Sequence, residues 1–353
     1  MLDNLPILGI CGFSGAGKTT LIEQSVPLLV AKGLKIVVVK NDAHRIAVDT
    51  PGKDSDRFFC SGADVFLQGQ SEDFFRAHSP NNSDLSNKLI ALARQYDLVL
   101  IEGRKNLSIQ KIWLLSESED APPNEMKGVI SVLSRDTNRT EYLMSFIENW
   151  LPEQWVKTPV YGCVLIGGKS GRMGKPKHLI IENGKTWLEK TVITLKHAVD
   201  NVVVSGEGEI PGELSGIERL TDVCGVKGPM SGILSCMRWA PNVSWLVVSC
   251  DLPDISPDAV QWLLSTRKPG VWAALPRIND SGYIEPLFAY YDFRSHPLLE
   301  ACAANRIFKT SHISENEKVN TVSPPENLAR AWNNINSNEE LISRRNAHKN
   351  RLK

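Results

Sequence analysis

Gly12-Phe13-Ser14-Gly15-Ala16-Gly17-Lys18-Thr19 fills the pattern G-x-x-x-x-G-K-[ST]. An apolar run over residues 7–11 precedes it. A helical pattern over residues 18–31 follows, with Gly33 placed to close that helix. Glycines in such a loop let successive backbone N–H groups point at phosphate oxygens, and the helix start adds its partial positive charge. Lys18 reaches the outer phosphates and Thr19 ligates magnesium; Gly12, Gly15, Gly17 and Thr20 complete the nucleotide-binding set. Outward from the loop, residues 35–40, 98–101, 109–115 and 129–133 read as further buried strands, and 141–150 as a closing helix. Continuous apolar strands alternating with helices predict a parallel sheet covered on both faces, an α/β fold.

The strand over residues 98–101 ends at Glu102-Gly103, where a carboxylate either meets magnesium and its water or simply faces solvent. Residues 49–55 form a tight polar turn, and 79–86 and 116–125 read as loops. Residues 151–159 carry Pro152 and Pro159 with little periodicity, which places a linker there. The predicted organisation is a domain over 1–155, a second over 156–345, and a frayed basic tail over 346–353.

After the linker the pattern restarts. A strand over 161–166 leads into Gly167-Gly168-Lys169-Ser170-Gly171-Arg172-Met173-Gly174-Lys175-Pro176-Lys177, which is Gly-rich and basic but is not a P-loop. A helix over 187–197, a strand over 202–205 and a strand over 245–250 follow, the last ending at Asp251. Nucleotidyl transfer must hold a triphosphate and neutralise charge on the α-phosphoryl group and the leaving pyrophosphate. Gly167 and Gly168 permit close backbone approach, and Arg172 and Lys177 supply positive charge. Asp251 opens into the crevice where α/β sheets bind ligands, and it suits magnesium. Asp254 is either a second carboxylate for that site or a turn residue.

Bulk properties fit two globular domains: 353 residues, 42% hydrophobic and 23% charged. With 40 basic and 40 acidic residues the net charge is zero, so no global field favours nucleic acid or an anionic membrane. The seven cysteines are scattered without a C-x-x-C pair, which predicts buried, reduced thiols in a cytoplasmic protein. No run approaches the ~20 apolar residues of a membrane span.

Residues 5–150 resemble the GTP-binding accessory protein family of molybdopterin-guanine dinucleotide synthesis. The likeness rests on the P-loop, on Asp49 through Ser55 followed by Arg57, on Ser61-Gly62-Ala63 and on Glu102-Gly103. It implies that Asp49 and Asp54 lie near nucleotide or metal, that Lys53 faces phosphate, and that Asp136 is placed to read the base. The chain departs from the family at Lys40-Asn41-Asp42-Ala43-His44, where more histidines are usual, and at Arg135-Asp136, where Asn-Asp is common.

Residues 160–341 resemble the molybdenum cofactor guanylyltransferases, a Rossmann-like nucleotidyltransferase family. The segments concerned are Leu165 through Gly174 with Lys177, Asp222, Gly228 through Ile233, Cys250-Asp251-Leu252-Pro253, Glu285-Pro286-Leu287 and Trp332-Asn333-Asn334-Ile335-Asn336. The resemblance implies that Leu165, Gly167, Gly168, Asp222 and Asp251 contact nucleotide. It makes Arg172, Lys177 and Asp251 catalytic, Asp251 a magnesium ligand, and Asn334 and Asn336 contacts for the pterin. Pro176-Lys177 replaces the usual Asp-Lys, as in relatives that transfer cytidylyl groups, whereas the Gly167-Gly168 pair leaves room for a purine.

Together the resemblances imply a bifunctional molybdenum cofactor enzyme. The second domain would transfer GMP from Mg-GTP to molybdopterin or its molybdenum form, and the first would bind and slowly hydrolyse GTP. Molybdoenzyme maturation proteins are the implied partners. The rivals are a cytidylyl or sugar-phosphate nucleotidyltransferase, and a nucleotide-gated carrier of the cofactor without transfer activity.

Overall fold

The structure, a computed structural model, describes residues 2–40, 49–78, 85–167, 176–278 and 282–351. The chain divides into two compact units, Met1–Met144 and Ser145–Lys353. Among the described residues, no helix is long and apolar enough to cross a membrane.

The first unit contains β1 (Ile7–Cys11), α1 (Lys18–Ala31), β2 (Ile36–Lys40), α2 (Asp54–Cys60), β3 (Val65–Gln68) and β4 (Asp73–Arg76). It continues with α3 (Leu85–Ala93), β5 (Leu98–Glu102), β6 (Lys111–Leu114) and β7 (Val129–Leu133), and ends within α4 (Arg139–Lys157). Five strands form one sheet in the order β2-β5-β1-β6-β7. All its pairings are parallel. The central β1, β5 and β6 are apolar because both faces are covered, and Ile7, Val99, Ile101 and Ile109 pack with Leu89 and Ala93 of α3. The expected fully buried strand at 35–40 is instead an edge strand, β2, with Val38 39% exposed. An apolar run reports β-propensity, not the place of a strand in the order. β3 and β4 form a separate antiparallel hairpin, with Phe66 opposite Phe75.

α4 corrects the expected linker. It runs unbroken from Arg139 to Lys157 through Pro152, and the division between units falls inside it. A helix-interior proline removes one backbone bond. Here the flanking burial of Leu151 and Trp155 retains the helix. Trp155 lies under the guanidinium of Arg294, 4.0 Å from ring centroid to Cζ. Arg267 bonds the carbonyls of Trp155 and Thr158 at 2.8 and 3.1 Å.

The second unit continues with β8 (Val160–Leu165), β9 (Ile181–Glu182), β10 (Lys185–Thr186), α5 (Trp187–Lys196), β11 (Asn201–Ser205), β12 (Glu218–Leu220) and α6 (Pro229–Trp239). Next come β13 (Ser244–Ser249), α7 (Pro257–Ser265), β14 (Ala273–Ile278), β15 (Tyr283–Ile284) and β16 (Phe288–Tyr291). The last elements are α8 (His296–Ala304), β17 (Val319–Val322) and α9 (Asn338–Arg351). An eight-stranded sheet runs β12-β11-β8-β13-β16-β14-β15, with β17 beside β14. β12, β11, β8 and β13 are mutually parallel, whereas β16 is antiparallel to β13. Cores form on both faces, one around Val164, Leu188 and Val248, the other around Cys163, Ile233 and Val247. α5 begins with a capping box, in which the Thr186 hydroxyl accepts from the Glu189 amide and Glu189 accepts from the Thr186 amide.

The expected frayed tail is helical as far as Arg351. Arg344 anchors it by donating to Asp254 Oδ1 at 2.9 and 2.8 Å and to Glu182. Asp254 is thereby a structural partner of α9. All seven cysteines are free: Cys11, Cys163, Cys236 and Cys250 are buried, Cys302 partly so, and Cys60 and Cys224 are exposed against expectation.

Candidate functional site

In the first unit the P-loop connects β1 to α1. Gly12 has no substitute, since a Cβ there would sit 2.5 Å from the Leu114 carbonyl oxygen. Lys18 Nζ donates to the carbonyls of Gly12 and Phe13 at 3.2 and 2.7 Å, holding the loop in a closed ring. Burial pulls the Lys18 pKa down, and the Glu102 carboxylate partly restores it. Thr19 Oγ1 donates to Glu102 Oε1 at 2.7 Å, so the two residues expected at magnesium meet across 83 positions of sequence. A hydroxyl and a carboxylate are hard oxygen donors that fit magnesium, which takes few protein ligands and keeps several waters.

Arg139 was not legible from the sequence as a loop support. Its guanidinium bonds Ala16 O at 2.6 Å, Leu115 O at 2.7 Å and Leu133 O at 3.1 Å, tying the P-loop to two strand ends. An open cavity of about 410 Å³ adjoins the loop, lined by Gly15, Gly17, Thr20, Gln24, Arg135, Thr137 and Asn138 among others. Asp136, expected to read the base, is exposed, and its neighbours Arg135, Thr137 and Asn138 line the cavity. Asp49 and Asp56 share the Arg76 guanidinium at 2.9 and 3.0 Å. Asp54 is an exposed first-turn residue of α2 paired with Arg57 at 3.8 Å. The Asn41-to-His44 departure lies outside the described residues.

In the second unit four parallel strands deliver their carboxyl ends to one edge of the sheet. β8 leads to Gly167, β11 to the 206–209 loop, β12 to Asp222 and β13 to Asp251. Lys177 Nζ donates to Asp251 Oδ2 at 2.9 Å and to Asn336 Oδ1 at 2.8 Å. Three of the expected residues, 74 and 159 positions apart along the chain, therefore form one cluster. The Ile335 amide, bonding the Asp251 carbonyl at 3.0 Å, brings the Asn segment there. Asn334 and Asp222 are exposed. Leu165 is a buried core residue whose carbonyl accepts from the Cys250 amide at 3.1 Å. Gly168 and Arg172 lie outside the described residues. The oxygen donors of Asp251 and Asn336 already embrace an ammonium, a cation in a place that suits magnesium. Cys250, next to Asp251, is a thiol pushed up to about 12 by burial and then by Asp251, so it offers no thiolate nucleophile.

The place of Glu285, in the Glu285-Pro286-Leu287 segment, is set by the fold and not by local sequence. β13 and β16 pair Val248 with Phe288, and Glu285, just before β16, lies near enough to Asp251 to feel its charge. Glu285 is 4% exposed and accepts from the Leu287 amide at 2.8 Å. Burial, reinforced by Asp251, raises its pKa. His178 was also missed. It is 3% exposed, and its Nε2–H donates to the Glu209 carbonyl at 2.9 Å, which fixes the turn that presents Lys177. Burial chiefly, and nearby Arg219, push the His178 pKa below its ordinary value, against the opposing pull of Glu209. The folded state thus resists protonation that the unfolded chain accepts. Stability from this group is complete above the unfolded value of about 6.5 and is lost as pH falls from there through the folded pKa. We expect His178→Gln to flatten the decline of Tm below about pH 6.5 relative to the parent; parallel declines would reject this role.

The φ of Gly167 is +99°, and an added Cβ would stand 3.3 Å from the Glu207 carbonyl oxygen. Glycine is therefore demanded by backbone conformation, independently of room for a purine. Gly167→Ala should cost about 1–2 kcal/mol of strain and lower kcat/KM for GTP and CTP alike, by roughly tenfold. Selective loss with GTP would restore the steric explanation.

With the geometry in hand, the comparisons fall into the same two parts. Residues 7–135 match the family described as molybdopterin guanine dinucleotide synthesis protein B. Residues 162–317 match the MobA-like NTP transferase domain. The molybdopterin-guanine dinucleotide biosynthesis adapter protein of Haemophilus influenzae is 34% identical over 43% of this chain and 92% of its own. The probable molybdenum cofactor guanylyltransferase of Pelotomaculum thermopropionicum is 30% identical over 52% of this chain and 91% of its own. A molybdenum cofactor biosynthesis bifunctional protein of Synechocystis is 34% identical over 38% of this chain and 40% of its own. A P-loop unit and a nucleotidyltransferase unit, each matching nearly the whole of a separate relative, make this chain a member of both families at once: MobB-like in its N-terminal half and a MobA-like NTP transferase in its C-terminal half.

Proposed function

We propose that the C-terminal unit transfers GMP from Mg-GTP to the terminal phosphate of molybdopterin or its molybdenum form, releasing pyrophosphate. The N-terminal unit binds and hydrolyses GTP and assists in handling the cofactor. The observation that carries the transferase reading is the Lys177–Asp251–Asn336 cluster at the carboxyl edge of the parallel strands. The guanylyltransferase named among the relatives favours guanine over cytosine.

In this reading a molybdopterin phosphate oxygen attacks the α-phosphorus of GTP. The bond from that phosphorus to the α–β bridging oxygen breaks, and its electron pair leaves on pyrophosphate. Lys177 moves from Asp251 to the triphosphate and neutralises the growing charge, and Arg172 adds a second cation. Asp251 and Asn336 would hold magnesium, which when bound screens phosphate oxygens and stabilises the leaving group. Asn334 and Asn336 would contact the pterin, and Leu165, Gly167, Gly168 and Asp222 would contact the nucleotide. No covalent nucleophile on the protein is needed, and catalysis is positioning and charge neutralisation. In the N-terminal unit, Lys18 and the loop amides hold the triphosphate, and Thr19 with Glu102 would hold its magnesium.

Single-turnover pyrophosphate release with molybdopterin and GTP, CTP or ATP tests the reading. Release fastest with GTP supports it. Preference for CTP would favour a cytidylyltransferase, and no release with any nucleotide would favour a carrier.

A further inference from the structure

We propose that Lys105 is a second phosphate-contacting cation of the N-terminal unit, its ammonium meeting the γ-phosphate of GTP and stabilising the charge that hydrolysis develops there. The inference rests on the reading that this unit binds and hydrolyses GTP.

β5 delivers Glu102 to Thr19, and the chain then reverses through two left-handed residues, Gly103 at φ 80° and Arg104 at φ 54°. A left-handed arginine is uncommon and must be held by its surroundings. Its carbonyl accepts from the Leu107 amide at 3.0 Å, and the loop that follows is held by Lys111, 1% exposed, whose Nζ donates to the carbonyls of Lys105 and Leu107, each at 2.7 Å. Burying an ammonium is costly unless it is well bonded. In this unit one is spent on fixing a single short loop. The result is a set position for the next side chain: Lys105 Nζ lies 3.7 Å from the ring centroid of Phe13 and 5.4 Å from that of Trp113. Phe13 is itself a P-loop residue, with its carbonyl already accepting from Lys18 Nζ at 2.7 Å.

Two ammonium groups thus converge on one P-loop residue, Lys18 on its carbonyl and Lys105 on its ring. Of the nearby carboxylates, Glu102 accepts from Thr19, and Glu119 accepts from the Ser116 amide at 2.9 Å through Oε2 while the charge of Lys105 acts on it. Like charges brought together beside a ring of loop amides are stabilised by an arriving anion. A lysine resting on an aromatic ring is by itself a weak, common contact, but it does not explain the buried lysine and the left-handed turn behind it.

In the reaction, water oxygen adds to the γ-phosphorus and the bond to the β–γ bridging oxygen breaks. The electron pair stays on GDP, and both water protons leave on the product as dihydrogen phosphate. Lys105 remains protonated throughout and serves the charge on the γ-phosphoryl oxygens.

The test uses the full chain without molybdopterin, so that phosphate release reports the N-terminal unit, with Lys18→Ala as background. Lys105→Met should lower kcat/KM for phosphate release by roughly 10- to 100-fold. The Ki of GDP as a competitive inhibitor should stay within about twofold, because GDP lacks the γ-phosphate. Lys105→Arg should restore much of the rate. A Ki for GDP that rises in step with the lost rate would overturn the proposal in favour of loop support. Unchanged phosphate release by Lys105→Met would overturn it alone, leaving the GTPase reading intact. Absence of phosphate release above background in the parent chain would overturn both.

Discussion

Asp251→Asn is expected to lower guanylyl transfer by about three orders of magnitude while leaving the fold intact. The substitution keeps the shape of the side chain and the backbone carbonyl that accepts from Ile335. It removes the negative charge at the centre of the Lys177–Asp251–Asn336 cluster. Losing a metal ligand forfeits several kcal/mol of transition-state stabilisation, and about 1.4 kcal/mol is worth a tenfold change in rate. The Lys177–Asp251 pair is partly solvated, with side chains 18% and 20% exposed. Its loss should therefore change folding stability by no more than about 1 kcal/mol. Rate and Tm measured on the same preparation separate the two effects. A folded Asp251→Asn chain with near-parental turnover would remove Asp251 from the site.

The second large effect is expected at Lys18. Its ammonium bonds the Gly12 and Phe13 carbonyls, and GTP would draw it onto the outer phosphates. Lys18→Ala should weaken GTP binding by the N-terminal unit by about 100-fold and abolish phosphate release. Molybdopterin-dependent pyrophosphate release by the C-terminal unit should stay within about twofold of the parent, because its phosphate loop and its sheet are separate. Equilibrium binding and the two release assays check this on one variant. Transfer that collapses together with phosphate release would show that the N-terminal site gates the C-terminal reaction.

The parts legible in the sequence were those where one physical signal dominates. Ile7–Cys11, Leu98–Glu102, Val160–Leu165 and Ser244–Ser249 are buried on both faces and so read as apolar runs. The P-loop and Asp251 follow directly from the ends of such strands. Less legible were features set by strand order or by distant partners. β2 carries the same kind of apolar run as β1 yet lies at an edge. The β3–β4 hairpin exposes Phe66 and Phe75 at 59% and 62%, so its alternation does not mark a core face. The continuation of α4 through Pro152 depends on the burial of Leu151 and Trp155, which local propensity does not reveal. Glu285 comes within reach of the Asp251 charge through the folding of β13 beside β16, 34 positions apart along the chain at those two residues. Lys105 and Arg139 gain their positions from loop geometry and from carbonyls far away in sequence.

The central claim, guanylyl transfer to molybdopterin, is tested most directly by the mass of the product. The 353-residue chain would be incubated with magnesium, GTP and molybdopterin, and the pterin species then weighed by mass spectrometry. The account predicts a new species heavier than molybdopterin by one GMP residue, formed with an equal amount of pyrophosphate and dependent on Asp251. Unmodified molybdopterin after complete mixing, or a CMP adduct formed in preference when CTP competes with GTP, would contradict it.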